Sequence, residues 1–87
     1  MIYTVTWSPS AEADLAELWM RAPDPAAFTR SANKVDAILK SDPYSHSESR
    51  SGEDRILLVA PVGILFKVSE DDRMVKVFAV WRIHSSA

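Results

Sequence analysis

Residues 2–7 alternate: Ile2, Thr4 and Thr6 against Tyr3, Val5 and Trp7. Period-two patterning with β-branched and aromatic types predicts a strand, with Tyr3, Val5 and Trp7 as its core face. Ser8-Pro9 then reads as a helix start. The Ser8 hydroxyl can cap the first turn, and Pro9 suits a position that needs no N–H. Ala11, Leu15, Leu18, Trp19 and Ala22 recur at helical spacing and predict one buried stripe. Pro23 disfavours helical geometry before it and ends the helix near Ala22. Asp24-Pro25 repeats the capping device. A second helix to about Lys40 follows, with Phe28, Ala32, Val35, Ile38 and Leu39 inward. So short a connection predicts an αα-hairpin.

Residues 41–54 hold almost nothing apolar except Tyr44 and read as a long loop. Three strands are expected beyond it: 55–60, 64–69 and 74–82, with 61–63 as a turn and 70–73 as a polar hairpin connection. Ile64, Phe66 and Val68, with Val75, Val77, Ala79 and Trp81, form wholly apolar sets expected to pack on the helices. The opposite face would carry Leu65, Lys67, Lys76, Phe78, Val80 and Arg82. A face that mixes cations with exposed apolar groups usually meets a partner. The expected fold class is α+β, ordered β-α-α-β-β-β. Its N-terminal strand and helix hairpin pack on an antiparallel, twisted sheet.

Composition bounds this picture without changing it. The chain has 87 residues, 47% hydrophobic and 25% charged, which fits one globular domain over 1–87. It has no cysteine, so disulfides and thiolate metal sites are excluded. No apolar run approaches a membrane span, and the N-terminus lacks the basic start of a signal peptide. A cytoplasmic protein is expected. The net charge of −2 is unevenly divided. Residues 1–54 carry five Lys or Arg against nine Asp or Glu, and residues 55–87 carry five against three. The sheet half is therefore the basic half, a weak field that could face a polyanion.

The segments "YTVTWSPSAEADLAELW", "ILKSDP" and "DRILLVAPVGILFKVSEDDRMVKVFAVWR", in that order, resemble the RelE/ParE superfamily of toxins from bacterial type II toxin–antitoxin systems, which include plasmid stabilisation proteins. The resemblance spans residues 2–82. It implies a RelE-like fold, an antitoxin protein as partner, and one of two actions. RelE-like members are ribosome-dependent endoribonucleases that cut mRNA, and ParE-like members poison DNA gyrase. A degenerate member that keeps only antitoxin binding is the alternative. No cofactor and no metal is implied, and the oligomeric state is left open.

Cutting RNA through its own 2′-OH needs a base, a stabiliser of the pentacovalent phosphate and an acid. By the resemblance, Arg82 fits the family's late catalytic Arg, with His84 as acid or base and Arg55 as a further candidate. Lys67, Lys76 and Phe78 are the candidates for holding a target or nucleic acid. The same residues have plainer readings. Arg82 can end a strand beside an acid, His84 can be a solvated tail residue, and Lys67 and Lys76 can guard a sheet edge. Arg55 can be a structural cation. The sequence also departs from the nuclease pattern. Gly63 stands where an Arg is expected, Ile56, Leu57, Leu58 and Val59 stand where paired lysines are expected, and the pI is about 5.6. There is no P-loop or GxGxxG, since the glycines are Gly52 and Gly63. His46 and His84 are too few and too far apart for a metal site.

Overall fold

The computed structural model describes residues 2–83. Strand β1 (Thr4–Trp7) leads into helices α1 (Pro9–Arg21) and α2 (Pro25–Ser41). Four strands follow: β2 (Ser47–Ser49), β3 (Asp54–Val59), β4 (Val62–Ser69) and β5 (Met74–Arg82). Both helix starts are built as the sequence predicts. Ser8 Oγ accepts from Ala11 N–H at 3.2 Å, and Asp24 Oδ1 accepts from Ala27 N–H at 3.0 Å. Pro9 and Pro25 occupy the first turns, where a missing donor costs nothing.

The five strands form one sheet in the order β1-β5-β4-β3-β2. The C-terminal strands are antiparallel neighbours, as expected. β1, however, joins the far edge parallel to β5, with Val5 opposite Val75 and Trp7 opposite Val77. The sheet is therefore mixed. The two helices supply the crossover that a parallel return requires. A second difference lies in residues 41–54. Helix α2 extends to Ser41, and Ser47–Ser49 pairs with Leu57, Ile56 and Arg55 as a short edge strand. Those three residues are all polar, so nothing in their pattern marks a strand.

Both helices pack on one face of the sheet. Phe28, Val35 and Leu39 of α2 and Ala11 of α1 are buried against Leu57, Val62, Ile64, Phe66, Val75, Val77 and Val80. Truncating Phe28, 1% exposed, would cost about 3–5 kcal/mol. Two expectations are corrected. Trp19 is 48% exposed and lies across α2 instead of in the core, its Nε1 donating to Thr29 Oγ1 at 2.9 Å. The inward set of β5 also changes partway along. Leu65 stands opposite Ala79 and Phe66 opposite Val77, so Phe78 is an extra, bulged residue. A bulge resets the alternation. Val75 and Val77 point to the helices, but beyond the bulge Val80 does, and Ala79 and Trp81 turn to the other face.

Gly63, expected in a turn, lies inside β4 opposite Trp81. A Cβ there would stand 2.6 Å from Trp81 Nε1. The indole therefore lies flat over a strand position that only glycine leaves open. Gly63→Ala is expected to displace the Trp81 ring and destabilise the protein by about 1–3 kcal/mol. Urea unfolding with tryptophan fluorescence tests this. In a Trp81→Ala background the same change should cost much less. Equal costs in the two backgrounds would refute the steric account.

Candidate functional site

The face of the sheet away from the helices is open. Register pairing defines its members. Asp54, Ile56 and Leu58 of β3 stand opposite Lys67, Leu65 and Gly63 of β4. Leu65 and Lys67 in turn stand opposite Ala79 and Lys76 of β5, and Gly63 opposite Trp81. Lys67, Lys76 and Phe78, the three predicted contact residues, are therefore brought together. Lys67 Nζ lies 5.7 Å from the Phe78 ring centroid and 3.6 Å from Asp54 Oδ1. Lys76 forms no ion pair among the described residues. Further along the face from these cations stand Leu65 and Ile56, then Trp81 and Leu58, the last 52% exposed. The face is an apolar and aromatic surface with two lysines at one end. Val80 and Arg82, expected on it, point the other way because of the bulge.

The predicted catalytic residues are not brought together. Arg55 stands opposite Phe66 and Arg82 opposite Val62, four residues further along β4. That separates them by roughly 13 Å along the strands. Both lie on the helix side, away from Lys67 and Lys76. Arg82 lines a cleft of about 320 Å³ with Pro23, Asp24, Phe28, Pro61 and Ile83. It forms no ion pair among the described residues. Arg55 is held by the segment that precedes β3. Its guanidinium lies 5.1 Å from the Tyr44 ring centroid, its Nε donates to Ser47 Oγ at 2.9 Å, and its Nη2 donates to Ser47 O at 3.2 Å. His84 lies outside the described residues. Among the described residues no group of three or more His, Cys, Asp or Glu is arranged to hold a metal.

A polar network that local sequence gives no sign of closes this end of the sheet. Glu70, in the β4–β5 turn, receives two phenols on Oε2: Tyr44 Oη at 2.5 Å and Tyr3 Oη at 2.7 Å. Arg73 stacks over Tyr3, 5.1 Å from its centroid, and lies 3.9 Å from Glu70 Oε1. The hydrogen bonds from Tyr44 and then Tyr3 hold the Glu70 carboxyl below its ordinary range. The bond to Glu70, with burial and the carboxylate's charge adding to it, raises the Tyr44 phenol to about 12 and also raises Tyr3. These partners lie 67 and 26 positions from Glu70, so only the fold brings them together.

Strand, helix hairpin and four-stranded return, with β1 parallel to β5, make up the fold of the RelE/ParE toxins. The chain is similar to the toxin in the RelBE2 toxin–antitoxin complex of Mycobacterium tuberculosis, with a TM-score of 0.77 and 16% identity over 94% of this chain and 99% of that one. It is similar to the archaeal RelE–RelB complex of Pyrococcus horikoshii, with a TM-score of 0.72 and 15% identity over 99% and 100% of the two chains. It is also similar to the chromosomal ParDE system of P. aeruginosa, with a TM-score of 0.69 and 15% identity over 95% and 98%. No family model matches the sequence, and no curated protein matches it. Among the described residues no helix is long and apolar enough to cross a membrane.

The network makes stability pH-dependent at both ends. The folded-state value of Glu70 is depressed, so its contribution is present above the unfolded carboxyl range and lost as pH falls through the folded value. That places the loss below about pH 4. The Tyr44 value is raised, so its contribution is present below the ordinary phenol value of 10.0 and lost as pH rises through about 12. Glu70→Gln should lower the urea midpoint at pH 7 and flatten its fall below about pH 4. Parallel wild-type and variant profiles over that range would refute the assignment.

Proposed function

We propose that this chain is the toxin-like member of a type II toxin–antitoxin pair, neutralised by a cognate antitoxin, and that it acts by binding its target through the open face of the sheet. The pairing rests on one observation. The fold matches, over nearly the whole chain, proteins whose structures are toxin–antitoxin complexes.

The binding mode is supported by where the cations lie. In-line phosphoryl transfer needs a base, an acid and positive charge converging on one phosphate. Here Lys67 and Lys76 share the open face, while Arg55 and Arg82 lie on the other side and roughly 13 Å from each other along the strands. Ile56, Leu58, Leu65, Phe78 and Trp81 offer apolar and aromatic area suited to a protein target. The ParE-like reading, inhibition of DNA gyrase by binding, fits this better than mRNA cleavage on the ribosome.

Induced expression in a bacterial host is expected to arrest growth, and co-expression of a small neighbouring antitoxin gene to relieve it. Lys76→Glu combined with Phe78→Ala should reduce the arrest at least about tenfold in plating efficiency while the purified protein remains folded, because each removes a contact on the binding face. Gyrase-dependent DNA breaks with intact mRNA are the expected signature. Codon-periodic mRNA cuts that vanish in Arg82→Ala would overturn the binding mode. Growth unaffected by expression, with no antitoxin bound, would overturn the pairing itself.

A further inference from the structure

Among the described residues, every hydrogen bond and ring contact of the Arg55 side chain comes from residues 42–53. Tyr44 stacks beneath the guanidinium, and Ser47 accepts from Nε through its hydroxyl and from Nη2 through its carbonyl. This segment is tied to the body almost entirely by polar contacts. Pro43 is fully buried and anchors its start. Beyond Pro43, Tyr44 is the one large apolar side chain before β3, and it is 41% exposed. Beside the Arg55 contacts, what remains is the three-residue β2–β3 ladder, the bonds from Arg50 N to Asp54 O at 2.8 Å and from Asp54 N to Ser51 O at 3.1 Å, and the Tyr44 hydroxyl on Glu70. The Arg50–Glu48 ion pair is internal to the segment. Left-handed backbone flanks β2 on both sides, at His46 (φ 65°) and Gly52 (φ 61°). A segment with so little apolar burial opens at a lower free energy than the strands beneath it.

We propose that residues 42–53 form a strap that hinges near Pro43 and Gly52 and is latched shut by the Tyr44–Glu70 hydrogen bond, and that the strap controls access to the Arg55 guanidinium. Closed, it occupies Arg55 with its own side chains. Open, it leaves a bidentate cation beside Val68 of β4, available to an anionic group of a partner. The strap's chemistry is independent of which target the open face binds.

Two measurements on the full chain test this at pH 7. One is amide hydrogen exchange, and the other is modification of arginines by phenylglyoxal, read by mass spectrometry. Exposed Arg30 is the internal reference. Tyr44→Phe keeps the ring under Arg55 and removes only the latch, and Glu70→Gln weakens the latch from the other side. Both variants should speed exchange over residues 44–50 and modification of Arg55 roughly tenfold or more, the scale of one hydrogen bond to a carboxylate. Residues 44–50 should stay less protected than the central β4 amides, which open only with the whole fold, and Arg30 should be unchanged. Glu48 and Ile56 are register partners, and Cα atoms of such pairs stand about 4.5–5.5 Å apart, within disulfide reach. The chain has no other cysteine. Oxidised Glu48→Cys/Ile56→Cys should return Arg55 of the Glu70→Gln protein to the wild-type rate. Unchanged Arg55 reactivity in both latch variants would overturn the strap. So would residues 44–50 that exchange no faster than the central β4 amides, since they would then open only with the whole fold.

Discussion

β5 is paired along both of its edges, parallel to β1 and antiparallel to β4. It is the strand from which β1 and β4 take their register. A strand held on both sides cannot slip by one residue without exposing its buried set. Val75 and Val77 fix that set at one end, and Val80 fixes it at the other. Between them the extra residue at Phe78 has to be absorbed, and the bulge absorbs it. The bulge also decides which side chains reach the open face, because it turns Ala79 and Trp81 outward and carries Val80 and Arg82 inward.

This explains what the sequence made legible. The helices were readable because their signals are local. A capping side chain, a proline at the first position and an apolar stripe all lie within one or two turns. Strand positions were readable for the same reason, as was the grouping of Lys67 with Lys76. The faces of β5 were not. Strict alternation assigns Trp81 to the core and Val80 to solvent, and one unpaired residue reverses both. Gly63 carried the available hint, since a glycine in an apolar strand marks close approach by another group. Its partner, Trp81, stands 18 positions later, across a hairpin.

Residues 41–54 were misread for a different physical reason. Their order comes from distant partners and scarcely from apolar burial. Tyr44 and Tyr3 meet on one carboxylate oxygen of Glu70 only after β1, α2 and the β4–β5 turn are in place. Such contacts depend on the folded framework and add little to creating it. They are also directional and concentrated in few atoms, so each single contact carries a larger share of what orders this segment than one methyl carries of the core. The polar end of the sheet is therefore the part whose conformation responds to single contacts.

The two faces of the sheet divide the candidate chemistry between them. The open face carries the apolar area and two lysines, one of them already committed to Asp54. The helix side carries both arginines, one under the strap and one beside the cleft at the α1–α2 connection. Charges on opposite faces of a sheet cannot converge on a single phosphate, because the sheet itself separates them. They can each contribute to a partner that wraps the molecule, for which a broad apolar patch and scattered cations are the better arrangement. The same bulge that gives the open face its Trp81 takes Arg82 away from it. In this chain a gain in apolar contact area and a loss of converging positive charge are therefore two consequences of one inserted residue.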